Sequence, residues 1–256
     1  MRETTVDSWL LDIGEALNAS ATFARAVSKS PDPWQVDLLN AIAAPDTNPV
    51  TMALCSRQVG KSQTVAVGVY RRAEYYPGST ILVLAPALRQ SQELHLKIKA
   101  VRAALGSTHE AEKDTQSELT LANGSRIIVV PANEETIRGY TCDLIVLDEA
   151  ARIDDKEFNA IIPMLRDDGA LVATTTPYGQ RGWFWEAWKE GRGTCITARS
   201  VDLPRKARAV QRDRAIMSPS QFAQEHLLAF IGSGDPFFNI EDFDRAIDPM
   251  ETALCL

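Results

Sequence analysis

The run Val50-Thr51-Met52-Ala53-Leu54, the loop Cys55-Ser56-Arg57-Gln58-Val59-Gly60-Lys61-Ser62 and the run Gln63-Thr64-Val65-Ala66-Val67-Gly68-Val69-Tyr70 constrain this chain more than any other stretch. They predict a buried strand, a tight turn and a helix. Gly-Lys-Ser between a strand and a helix is the arrangement that cradles phosphate. Gly60 lets the backbone turn and approach a ligand closely. The loop and first helical turn aim free N–H groups at one point, where the helix dipole favours an anion. Lys61 is then placed to reach β- and γ-phosphates, and Ser62 to offer its hydroxyl to Mg²⁺. The common pattern has a glycine where this chain has Cys55. Gly-Lys-Ser alone also occurs at plain strand–helix turns with an exposed lysine, so the flanking elements carry the argument.

A second stretch adds weight. Asp143-Leu144-Ile145-Val146-Leu147-Asp148-Glu149-Ala150 is an apolar strand ending in two carboxylates. In a phosphate-loop site the first, Asp148, holds the Mg²⁺ shell, and the second, Glu149, polarises the attacking water as general base. Strand alternation would send adjacent side chains to opposite faces, so Glu149 must sit where the strand gives way to a loop. Taken alone, the stretch reads equally as a strand ending in acidic surface residues. Downstream of a phosphate loop it points to ATP hydrolysis.

The rest of the chain supplies a parallel α/β frame. Thr80–Ala85, Gly169–Thr176 and Thr194–Val201 read as further strands, and Leu88–Leu105, Asp154–Leu165 and the stretch from Trp183 as helices. Strands alternating with helices imply a parallel sheet, whose ligand sites lie at the C-terminal strand ends where these motifs fall. Glu118–Leu121 and Ser125–Val130 around Ala122-Asn123-Gly124 read as a hairpin. Residues 6–29 carry apolar positions at mostly helical spacing, from Trp9 to Val27. Asp32 is placed to cap a helix that starts at Pro33. Beyond Pro204, Arg205–Met217 and Gln221–Ile231 read as a small helical subdomain, followed by a linker around Gly232-Ser233-Gly234. The expected division is an N-terminal helical segment 1–32, a nucleotide-binding core 33–203, and a lid with the start of a linker, 204–256.

Composition excludes several classes. The 256 residues are 45% hydrophobic and 24% charged, as in ordinary globular proteins. No apolar run reaches the roughly 18 residues of a membrane span, and Met1-Arg2-Glu3-Thr4-Thr5 has no apolar signal core. A net charge of −7 argues against a broad basic nucleic-acid surface while leaving room for a local patch. Cys55, Cys142, Cys195 and Cys255 lack C-x-x-C pairing and are expected as buried, reduced thiols. His95, His109 and His226 are too scattered for a zinc site.

With these motifs placed, the chain resembles the N-terminal ATPase domain of tailed-phage large terminases, the DNA-packaging motors. The resemblance rests on Ser56-Arg57-Gln58-Val59-Gly60-Lys61-Ser62, a loop variant such terminases favour, and on Pro33-Trp34-Gln35 upstream. It rests too on Ile145-Val146-Leu147-Asp148-Glu149-Ala150-Ala151 and on Thr174-Thr175-Thr176-Pro177-Tyr178-Gly179, similar to the family's coupling motif. It covers roughly residues 30–235 and implies an α/β fold of the RecA/ASCE P-loop NTPase type, with a mainly parallel sheet and a C-terminal helical lid. It implies ATP and Mg²⁺ as ligands, held by Ser56, Arg57, Gln58, Val59, Gly60, Lys61, Ser62 and Gln63, with Ser62 and Asp148 on the metal. Gln35 is then an adenine reader, or else a solvated helix position, and Trp34 packs nearby, or else in the core. Arg57 is placed to sense the γ-phosphate, and Thr175 and Thr176 to couple hydrolysis to movement, unless they are simply strand formers. Arg138 matches an arginine that some terminases insert into the neighbouring subunit's site, worth about 10³–10⁵ in rate; on its own it reads as a surface arginine.

The implied activity is ATP-driven translocation of double-stranded DNA into a viral prohead, in the host bacterial cytoplasm, by a ring of copies working with a portal protein and a small terminase subunit. The isolated domain is expected to be monomeric. No stretch supplies the carboxylate cluster of the family's nuclease domain, so nuclease activity is not expected. Alternatives are a superfamily-two-type helicase, which needs two tandem domains, and an ATP-gated assembly module without turnover. Trp183, Phe184, Trp185 and Trp188 are placed either to stack on bases or to pack between elements. Arg205, Lys206, Arg208, Arg212 and Arg214 form a basic stripe that meets DNA phosphate, a neighbouring subunit or only solvent.

Overall fold

The computed structural model describes residues 18–43, 49–107, 109–133, 137 and 139–232. The apolar runs do become strands: β1 (Val50–Cys55), β2 (Thr80–Ala85), β6 (Cys142–Asp148), β7 (Leu165–Thr175) and β8 (Thr194–Ala198). With β3 (Ala111–Asp114), β4 (Glu118–Leu121) and β5 (Arg126–Pro131) they form one eight-stranded sheet in the order β3-β4-β5-β2-β6-β7-β1-β8. The pairings from β5 to β8 are all parallel, and β3 and β4 append antiparallel strands at one edge. The hairpin read around Asn123 is therefore present, with an additional strand outside it that sequence pattern did not reveal: Ala111-Glu112-Lys113-Asp114 is mostly polar and lies largely exposed.

Helices α1 (Ala19–Val27), α2 (Pro33–Ala43), α3 (Lys61–Tyr75) and α4 (Leu88–Leu105) pack with one face of the sheet. On the opposite face lie α5 (Asp155–Ile161) and α6 (Gly182–Lys189). Two short helices, α7 (Ala207–Ile216) and α8 (Pro219–Leu227), close the described chain. The central strands are buried on both faces, which is why they read as continuous apolar runs. Of the predicted helical segment 6–29, α1 is described, and its N-cap Asn18 accepts from the Ser20 and Ala21 N–H groups. The apolar positions from Trp9 to Leu17 lie outside the described residues, as do the linker beyond Gly232 and Cys255.

Three sequence expectations need correction here. Cys195 is exposed rather than buried, because it lies on the edge strand β8, whereas Cys55 and Cys142 are buried. The predicted strand to Val201 stops at Ala198 and turns into a 3₁₀ turn, Ser200–Asp202. Arg205 is not on the helix that follows but in a second 3₁₀ turn, Pro204–Lys206.

Candidate active site

Sheet register assembles the site. β7 lies between β1 and β6, with Thr174 beside Asp148 and Thr175 beside Leu54. The loop after β1 and the carboxylates after β6 therefore flank the threonines of β7 at the C-terminal strand ends.

The loop after β1 is shaped by two residues in left-handed backbone. Gln58 has φ +57° and Gly60 φ +103°. Gly60 begins α3, and the Gln35 amide nitrogen stands 3.1 Å from where a β-carbon would be. Gln35 is buried rather than solvated. Its Oε1 accepts from the Asp32 N–H (2.9 Å), and its Nε2 donates to the Thr64 hydroxyl (2.7 Å), bracing α2 against α3. Trp34 is buried in the core on that face. The helix does start at Pro33, yet the Asp32 carboxylate does not stay local: Oδ2 accepts from Arg205. Arg205 also donates to the Val59 carbonyl (2.6 Å), tying the turn after β8 to the loop. Arg205 is exposed, as Arg208, Arg212 and Arg214 are, and it serves at the same time as a tether between these elements. Neither contact has a signal in the sequence, since both partners are remote.

At the centre Lys61 is buried, with Nζ 2.5 Å from Glu149 Oε1 and 3.1 Å from Asp148 Oδ1. Burial by itself would lower its pKa, but the two carboxylates outweigh that and raise it, so Lys61 is a cation. Glu149 follows β6 with φ +53°, unusual for a residue with a β-carbon. This break in the strand turns it toward the same side as Asp148. Backbone strain of this kind gathers at functional sites. Its Oε2 accepts from the Thr176 hydroxyl at 3.1 Å. Thr175 points elsewhere: its hydroxyl donates to the Thr176 carbonyl and accepts from the Ala151 N–H, holding the turn that follows Glu149. Thr174, given no role by the sequence reading, donates to Asp148 Oδ1 (3.1 Å) and fixes that carboxylate. Burial pushes the Cys55 thiol up to about 12, so it stands at the loop entrance as a neutral apolar group.

The C-terminal helices reach this centre. Arg57 pairs with Glu225 of α8 (3.1 Å). Ser56 Oγ donates to the His226 carbonyl (3.3 Å) and accepts from the Ser200 N–H (3.0 Å), and Ser200 Oγ lies 2.7 Å from His226 Nδ1. A cavity of about 320 Å³ opens at the loop, lined by Ser56, Arg57, Gln58, Gly60, Ser62 and Glu149 among others. The tryptophan cluster stands apart from it and packs between elements: Trp183 stacks on Phe158 at 3.8 Å, and Trp185 lies against Phe230. Arg138 lies outside the described residues.

A phosphate loop at the head of α3, facing an acidic strand end on a RecA-like parallel sheet, defines the class of P-loop nucleotide-binding domains. Residues 53–201 match the family described as "RNA cytidine acetyltransferase NAT10/TcmA, helicase domain". That match takes in more than half of the chain, and the chain belongs to this family of helicase-type domains. No curated protein matches it in sequence. Among solved structures it is similar to the large terminase ATPase domain of Thermus phage P74-26, at 21% identity and TM-score 0.68, over 84% of this chain and 99% of that one. It is also similar to the large terminase of a thermophilic bacteriophage in complex with ADP, at 14% identity and TM-score 0.64, over 78% of this chain and 53% of that one. The HK97 bacteriophage large terminase aligns at 15% identity and TM-score 0.60, over 81% of this chain and 50% of that one. The chain therefore spans about half the length of the latter two terminases, and the shared property is the fold.

Proposed function

We propose that this chain hydrolyses ATP and that the hydrolysis drives translocation of double-stranded DNA into a viral prohead, as the ATPase part of a large terminase. The observation that carries the reading is the contact of Lys61 with both Asp148 and Glu149 at the mouth of the phosphate loop, on a fold shared with terminase ATPase domains.

The chemistry follows from that arrangement. A polyphosphate entering the loop competes with Glu149 for Lys61. Drawing the ammonium onto the phosphates releases Oε1 of Glu149, while Thr176 keeps Oε2 in place. Glu149 then orients a water in line with the γ-phosphate and takes its proton as the bond to ADP breaks. The Ser62 hydroxyl and the Asp148 carboxylate are hard oxygen donors, the latter aligned by Thr174, and they suit Mg²⁺. Held there by Ser62 and Asp148, Mg²⁺ would offset the negative charge of the phosphates. Gly60 and its neighbours present backbone N–H groups, and Gln35 keeps that loop braced from behind. Arg57 exchanges Glu225 for the γ-phosphate, so phosphate occupancy is felt by α8, in the lid formed by residues after 204. Arg138 from a neighbouring copy supplies further positive charge to the transition state. The portal protein, the small terminase subunit and the host bacterial cytoplasm belong to this same reading.

The test is ATP turnover with and without double-stranded DNA, followed by DNA uptake into proheads when the complete motor is assembled. Turnover that rises with DNA and supports uptake is expected. The match to a helicase domain favours a second reading, a helicase-type translocase. Strand separation without prohead uptake would select it. Nucleotide binding with no turnover under any condition would select an assembly gate.

A further inference from the structure

We propose that Lys97 is a binding residue for the terminal phosphate of the nucleotide, so that it favours triphosphate over diphosphate. The proposal deepens the ATP-hydrolysis reading and rests on it. Lys97 stands in the middle of α4, a helix that contains none of the phosphate-loop or acidic-strand motifs. It nevertheless lines the loop cavity together with Lys61, Ser62, Gln63, Glu149 and Thr176.

Its position on the helix is unusual for a lysine. Leu94, Ile98, Val101 and Leu105 form the buried stripe of α4. Lys97 follows Leu94 by three residues and precedes Val101 by four, so it shares the side of the helix that packs inward. It is half-buried and lines the cavity, a setting in which a lysine buries its stem and keeps its ammonium in polar space. Neighbouring cations of α4 are all engaged. Lys99 pairs with Asp114, Arg89 with Glu93 at 3.1 Å, and Arg102 donates to the His109 carbonyl. Lys97 has no ion pair among the described residues.

The other cations lining the cavity are already paired. Lys61 is shared by two carboxylates, and Arg57 is held by Glu225. Among the described lining residues, Lys97 is the cation with no protein carboxylate to neutralise it. A partly desolvated ammonium of this kind is stabilised by an anion brought to it. In the proposed reaction the terminal phosphate lies against Glu149 and Thr176, and these two residues line the same cavity as Lys97. ADP lacks that phosphate, so it gains nothing from Lys97.

Calorimetric titration of the whole chain with Mg²⁺-ATPγS and with Mg²⁺-ADP tests this without turnover. Lys97→Ala is expected to weaken ATPγS about tenfold, the effect of one lost charge-assisted contact, and to change ADP less than about twofold. Lys97→Arg is expected to restore most of the ATPγS affinity, which separates charge from fold integrity. No change for ATPγS, or equal weakening for both nucleotides, overturns the assignment. A wild-type chain that binds neither nucleotide overturns the ATP reading and this assignment with it.

Discussion

At the residue scale the site is a contest for one ammonium. Lys61 is held by Asp148 and Glu149, and a nucleotide must win it from them. Glu149→Gln removes half of that competition together with the general base. Turnover is expected to fall by about 10²–10⁴, the usual contribution of a general base, while ATPγS affinity holds or rises. Steady-state kinetics and calorimetry check the two halves separately, and an unchanged rate removes Glu149 from its role. Gly60 is constrained twice, by its positive φ and by the Gln35 amide 3.1 Å from its missing β-carbon. Gly60→Ala carries a strain of roughly 1–3 kcal/mol in a left-handed conformation and pushes on that brace. The expected result is loss of nucleotide binding with a modest drop in melting temperature. Retained affinity would show that the loop tolerates a different path.

Elements decide how these residues are carried. The hairpin of β4 and β5 bears no site residue and joins the parallel strands to the antiparallel edge strand β3. There Glu118 accepts from Lys113 and Arg126. Burial would raise its pKa, yet these two partners outweigh burial and bring it below the usual 4.5. A depressed carboxylate adds stability above its unfolded pKa and loses it as pH falls through the folded value. Glu118→Gln is therefore expected to lower the urea midpoint at pH 7, and the gap to wild type should narrow as pH falls below the usual carboxylate range. A gap that does not change with pH would assign the effect to packing instead. On the other side of the molecule, Arg205 joins Asp32 at the head of α2 to the Val59 carbonyl, so the turn after β8 helps to set the loop's path.

The whole molecule links the nucleotide loop to its C-terminal helices through Arg57–Glu225 and the Ser56–Ser200–His226 contacts. Under the proposed function, these links carry the loop's occupancy to α8. Under the proposed motor, one copy's Arg138 completes the site of the next. ATP turnover per molecule is then expected to rise with protein concentration, and Arg138→Ala to abolish the rise. A flat profile, unchanged in Arg138→Ala, would make Arg57, acting within its own chain, the arginine that stabilises the transition state.

The sequence by itself determined the local frame. Apolar runs long enough to cross a sheet became β1, β2, β6 and β7, because strands buried on both faces need no polar alternation. Gly-Lys-Ser between a strand and a helix made the loop, and Asp148-Glu149 at a strand end had to face it in a parallel sheet. The break after Asp148 was legible too, since two adjacent carboxylates on a regular strand cannot share a face. Only the tertiary structure decided which distant groups hold that frame. Gln35 and Thr174 stand in motifs, but the pairings of Gln35 with Thr64, Arg205 with Val59 and Thr174 with Asp148, and the place of Lys97 at the cavity, follow from no periodicity or motif. Each joins residues whose neighbourhood is set by strand order and helix packing, and a side chain's partner across such a gap is a property of the packed molecule, not of the spacing along its chain.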